Sequence, residues 1–158
     1  MSFQDWIFAL HLLTAATLVG GMVASWIIIV SLRSADAAET VGLSRVAMVG
    51  TGAIMAGLPG TIILGIWLAA LRPQLHPWHG WAVGAIVLWA IAAVAILRSL
   101  PEYAKPVAKA KELVAAGKIG PNAELTALNR TVTGLLLRAV ASAAIVLIVI
   151  DMIYKPGA

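Results

Sequence analysis

Four long apolar runs alternate with short polar stretches along the chain. The first goes from Trp6 to Leu32 without a charge, with Asp5 before it and Arg33 at its end. The second, Val46 to Leu71, lies between Arg45 and Arg72; the third goes from about Trp81 to Leu97 and closes at Arg98. The fourth, Val132 to Ile153, is interrupted by Arg138 and Asp151. About 20 apolar residues suffice to cross a bilayer as a helix. A backbone in lipid must satisfy its own hydrogen bonds, and four short strands cannot close a barrel, so the runs read as helices. The first is not a cleavable leader, since no basic region precedes it and it outruns the roughly 7–15 residues of a signal core. The pattern predicts an all-α integral membrane four-helix bundle. It is one domain over residues 1–158, with spans at about 6–32, 46–71, 81–97 and 132–153.

The segments between the spans set the orientation. Arg33 and Arg45 follow the first span, and Arg98, Lys105, Lys109, Lys111, Lys118 and Arg130 follow the third. The opposite side has only Arg72 and Lys155. Eight against two places the loops after spans one and three in the cytoplasm and both termini outside it. Pro101 is expected to end the third span. In the cytoplasmic loop 98–131, Pro106 could open a short helix, Val107 to Ala116, that Gly117 stops. Its lysines suit either anionic lipid headgroups or a solvated connector. Asn122 reads as the cap of a helix running unbroken into span four, about 48 Å to Tyr154.

Composition agrees with this class. The chain is 61% hydrophobic and 11% charged, too few charges to cover a water-facing surface of this size. A net charge of +4, thinly spread, argues against nucleic acid as a partner. The absence of cysteine excludes disulfides and thiolate-held metal. The expected partner is the lipid bilayer, with helix faces available to a homo-oligomer or a larger membrane complex.

Lipid offers no hydrophobic drive between helices, so small residues must let them approach. Gly50, Ala53, Gly57, Gly60 and Leu64 recur at helical spacing in span two, and Thr14, Gly21 and Ser25 in span one. Pro59 should kink span two by freeing a carbonyl. Gly20 and Gly21 serve helix contact or leave room for a flat ligand.

His11 shares a face with Thr14, Leu18, Gly21 and Ser25. An imidazole within a span is a candidate ligand for haem iron or a metal, or else an interfacial group bonded to a neighbouring helix or water. His76 and His79, in the loop after span two, fall on the same side of the membrane. With His11 they would make three nitrogens for copper or zinc; one of them could be a second haem ligand; near Trp78 and Trp81 they also suit an interfacial belt. Arg138 is expected to snorkel toward the cytoplasmic face while Asp151 lies near the outer interface. Arg130, Gly134 and Arg138 also align at i, i+4 and i+8, an edge that could hold a carboxylate such as that of a lipid, a haem propionate or the neighbouring Asp36 or Glu39. No nucleophilic triad, phosphate loop or pair of catalytic carboxylates is present.

Leu10-His11 followed by Gly20-Gly21, then Gly57-Leu58-Pro59-Gly60 and Gly65-Ile66-Trp67-Leu68, with Asn129-Arg130 and Tyr154-Lys155-Pro156 at the last helix, resembles bacterial CopD-like and HemJ-like four-helix membrane proteins. The likeness is nearest to a predicted-integral-membrane family of unknown function. It implies a multi-pass protein of a bacterial inner membrane. HemJ-like proteins bind haem b and oxidise protoporphyrinogen, and the residue carried over is His11. They also carry a basic residue early in the third span, where this chain has Trp81-Ala82-Val83-Gly84. CopD-like proteins handle copper.

Three expectations follow. One is a redox or electron-transfer protein holding haem b near the outer face through His11, with Gly20-Gly21 admitting the ring and Arg138 taking a propionate. A second is copper or other metal handling at His11, His76 and His79. The third is an accessory or structural subunit with no cofactor. Whether the chain is an enzyme stays open.

Overall fold

The computed structural model describes residues 2–71 and 80–154. Every regular element among them is helical: α1 (Phe3–Leu32), α2 (Ala37–Leu71), α3 (Gly80–Ala115), α4 (Ala123–Asn129) and α5 (Val132–Tyr154). Four helices, counting α4 and α5 as one segment, are long and apolar enough to cross a membrane.

Local chemistry starts and stops them. Ser2 and Asp5 form a reciprocal capping box at α1, Asp5 N donating to Ser2 Oγ and Ser2 N to Asp5 Oδ2. Asp36 and Glu39 exchange the same two bonds at the start of α2. Asn122 caps α4, accepting from Leu125 N at 3.0 Å. Gly117 ends the α3 segment in the left-handed region, at φ 70°. Gly117 N donates to Val114 O and Lys118 N to Leu113 O, satisfying two terminal carbonyls.

Three boundaries differ from the hydropathy pattern. Helix α2 begins at Ala37 rather than Val46. Helix α3 runs through Pro101 and Pro106 to Ala115, so the expected break at Pro101 and the separate helix Val107 to Ala116 do not occur. An interior proline costs a helix about 3 kcal/mol, and tertiary packing offsets it here: Pro106 is fully buried, and Ala110 and Leu113 pack with Ala37 and Leu125. Conversely, the expected unbroken helix from Asn122 to Tyr154 is interrupted at Arg130–Thr131. There Arg130 Nε donates to Arg33 O and buried Asn129 reaches Thr40 Oγ1, turning α4 onto the start of α2.

The helices pack as two close pairs, α1 with α2 and α3 with α5, joined mainly where α2 meets α3. The α1–α2 pair zips along glycines. A β-carbon on Gly21 would stand 2.9 Å from Gly50 O, one on Gly57 2.8 Å from Leu18 N, and one on Gly60 2.7 Å from Thr14 Cγ2. The face of α1 bearing His11, Thr14, Leu18 and Gly21 therefore looks onto α2. Gly134 does the same for α5 against Glu102 and Tyr103 of α3. Between the pairs, Leu18, Met22, Ile54, Leu58, Ala92, Ile96, Ala141 and Ile145 form the core.

Pro59 lies within α2. Around it, Thr61 Oγ1 is 2.6 Å from Gly57 O and 3.0 Å from Leu58 O, and Trp89 Nε1 of α3 donates to Leu58 O at 2.8 Å. Side chains thus serve carbonyls beside the proline, as a helix in lipid requires.

Candidate functional site

A cavity of about 500 Å³ lies between the two helix pairs, in the half of the bundle that holds the start of α1 and the end of α5. Its volume falls within the range of small-molecule sites. Among the described residues around it there is no Lys, Arg, Asp or Glu; the side chains carrying polar atoms are His11, Thr61, Trp81 and Trp89. Two of these groups are already engaged, the Thr61 hydroxyl and the Trp89 N–H with carbonyls of α2.

His11 is held there by the close approach of α1 to α2. Its Cε1 is 3.1 Å, and its Nδ1 3.5 Å, from the position a Gly65 β-carbon would take, with the Thr61 backbone beside the ring. Any larger residue at 65 would press on the imidazole. His11 Nδ1 is buried and has no hydrogen-bond partner. A buried polar nitrogen left unmatched costs about 1–3 kcal/mol; Tyr103 Oη, Asn129 Oδ1, Arg138 Nε and Asp151 Oδ2 are buried without a hydrogen bond as well, and what sets His11 apart from these four is that its ring borders the cavity.

The other sequence candidates do not converge on this cavity. Gly21 is filled against by Gly50, Ala53 and Ile54, while a β-carbon on Gly20 would meet nothing within 4 Å; neither borders the cavity. The glycine pair therefore makes a helix contact on one side and leaves the other open. His76 and His79 lie outside the described residues. Among those described, no group of three or more His, Asp or Glu stands where it could hold a metal ion.

Arg138 does not snorkel to a surface. Its side chain is buried inside the bundle, 4% exposed, with Nη1 3.8 Å from Met22 Sδ and the guanidinium carbon 5.4 Å from the centre of the Tyr103 ring. Facing the Tyr103 π-system stabilises a desolvated cation without a carboxylate. Met22 is 11 residues beyond His11, about 16 Å along α1, so Arg138 lies well away from the imidazole. Arg130 bonds the α1–α2 turn instead, and the helix break removes the continuous edge of Arg130, Gly134 and Arg138. Asp151 lies near the end of α5 with Oδ2 buried and unbonded and Oδ1 near Gly84.

The sequence missed Gly65, which lies off the predicted glycine stripe; its partner is visible only once α1 and α2 are docked. It missed also that Trp81 and Trp89 flank one cavity with His11, although their eight-residue spacing puts them near one helix face. Comparison with known proteins leaves this geometry as the main guide to function, for no family model, no curated protein and no solved structure matches the chain.

Proposed function

We propose that this is a multi-pass protein of a bacterial inner membrane, both termini outside the cytoplasm, that binds a flat lipophilic molecule beside His11. The observation that carries the reading is the His11 imidazole, the one ionisable group among the described residues that border a largely apolar cavity of about 500 Å³. An ionisable side chain inside a membrane bundle is costly and marks a site. The eight-to-two asymmetry of basic residues supports the orientation.

Haem b, which the first-span histidine suggests, is one molecule of this class. His11 would hold the group through an imidazole nitrogen, and the haem would supply one-electron redox chemistry. The fit is incomplete, since no described residue bordering the cavity is a cation for the propionates and Arg138 lies elsewhere.

An absorbance spectrum of the detergent-purified protein, oxidised and dithionite-reduced, tests this with elemental analysis of the same sample. A Soret band abolished in His11→Ala supports haem b. Stoichiometric copper or zinc lost with His76→Ala or His79→Ala would replace the reading by metal handling. A protein that binds no metal, haem or other lipophilic molecule would leave an accessory subunit.

A further inference from the structure

We infer that the occupant of the His11 cavity is an uncharged, bilayer-dissolved molecule of the quinone class, and that it comes in from the lipid between α1 and α5. The inference rests on reading the cavity as a binding site and narrows what binds there.

The route follows from how the helices pair. Helices α1 and α5 do not pack closely on one another; each packs on its own partner. In one half of the bundle side chains bridge the gap: Trp26 Nε1 donates to Ser142 Oγ at 2.8 Å, and Arg138 reaches Met22. Beside the cavity the gap is bordered by Leu12 and Val19 of α1 and Val149 and Ile153 of α5. These four line the cavity and are also exposed on the outside of the bundle, Leu12 at 51% and Ile153 at 70%. Leu12 and Val19 are about 10 Å apart along the helix, within a hydrocarbon core about 30 Å thick. The cavity thus borders on lipid along a fully apolar edge, and a hydrocarbon tail can stay in the bilayer while its ring lies inside.

The chemistry of the occupant follows from the walls. No described residue around the cavity carries a charge to meet a phosphate or carboxylate, and burying an unpaired anion is strongly unfavourable. Indole rings from Trp81 and Trp89 offer flat apolar surface, which suits a planar ring. His11 offers one imidazole N–H to a neutral acceptor such as a ring carbonyl. A neutral ring with carbonyl oxygens and an apolar tail is the chemistry of a membrane quinone.

The test uses the full chain in phosphatidylcholine vesicles and a photoreactive azidobenzoquinone with a decyl tail, competed by unlabelled decylbenzoquinone, with labelled peptides mapped. The expected result is saturable, competed labelling on α1 and α5. His11→Ala should weaken competition about three- to tenfold, the worth of one hydrogen bond. Leu12→Trp, at an exposed position where the fold tolerates bulk, should suppress labelling while helical circular dichroism is unchanged. A sulfonated, membrane-impermeant benzoquinone should not compete. Equal competition by the sulfonated quinone, or labelling indifferent to both substitutions, would overturn the inference. A Soret band lost with His11→Ala would overturn it and leave the binding site standing. Failure to bind either quinone or haem would end both.

Discussion

Replacing Gly57 by alanine tests the way the first two helices are held together. The new β-carbon would stand 2.8 Å from Leu18 N and Cβ and 2.9 Å from Leu18 Cα. Carbon atoms pack best at about 3.5–4.0 Å, so the helices must separate by about 0.7 Å or more. Two of the three contacted atoms are backbone, so no change of rotamer relieves the contact. Overpacking of this kind costs about 1–3 kcal/mol, and alanine recovers up to about 1 kcal/mol over glycine in a helix. The expected net loss is about 1 kcal/mol, roughly a fivefold fall in the folded-to-unfolded ratio. Gly20→Ala is the control: its β-carbon meets nothing within 4 Å, so only the helix gain remains and the change should be neutral or stabilising. Unfolding in mixed micelles of mild detergent and dodecyl sulfate, followed by circular dichroism, reads both. A Gly57→Ala protein that unfolds at the wild-type dodecyl sulfate fraction would refute the packing argument. So would full rescue by Leu18→Ala, which leaves all three contacted atoms in place.

The remaining expectations use similar preparations. Gly60→Ala should destabilise through Thr14 Cγ2, 2.7 Å from the new carbon, and Thr14→Ser should restore part of the loss because the offending methyl is gone; equal stability of the single and double variants would count against this. Gly65→Ala meets only the His11 ring, a side chain able to give way. It should therefore leave stability nearly unchanged while altering quinone competition or any haem spectrum; unchanged binding would contradict the assigned site. Arg138→Met should be neutral or stabilising in the dodecyl sulfate titration, since a buried cation without a carboxylate is replaced by a side chain that needs no partner; a loss of 3 kcal/mol or more would show that the Tyr103 and Met22 contacts outweigh desolvation. For orientation, alkaline phosphatase fused after Gly117 should be inactive and after Ala158 active, and the reverse pattern would invert the proposed topology.

Long apolar runs determined that the chain is helical and that four segments are long enough to cross a bilayer, because lipid requires an internally bonded backbone. Caps were legible for the same local reason: Asn122 and Gly117 act on bonds within a few residues of themselves. The face of α1 containing His11 and Gly21 was legible from helical periodicity. The ends of α2 and α3 were not, since hydropathy records transfer to lipid and these helices continue beyond the apolar runs. Pro106 is fully buried in the same stretch of α3 whose Ala110 and Leu113 pack with Ala37 and Leu125, residues brought together only by folding. The break at Arg130–Thr131 likewise answers to Arg33 and Thr40, almost a hundred residues earlier in the chain. For the site, sequence singled out His11 because a titratable group in an apolar run is conspicuous wherever it lies. Only tertiary structure decided that Gly65 stands against it, that Trp81 and Trp89 share its cavity, and that Gly20, Gly21 and Arg138 do not. Those relations depend on which helices pair closely and which leave a gap, and helix pairing is set by contacts between distant residues rather than by the pattern along any one helix.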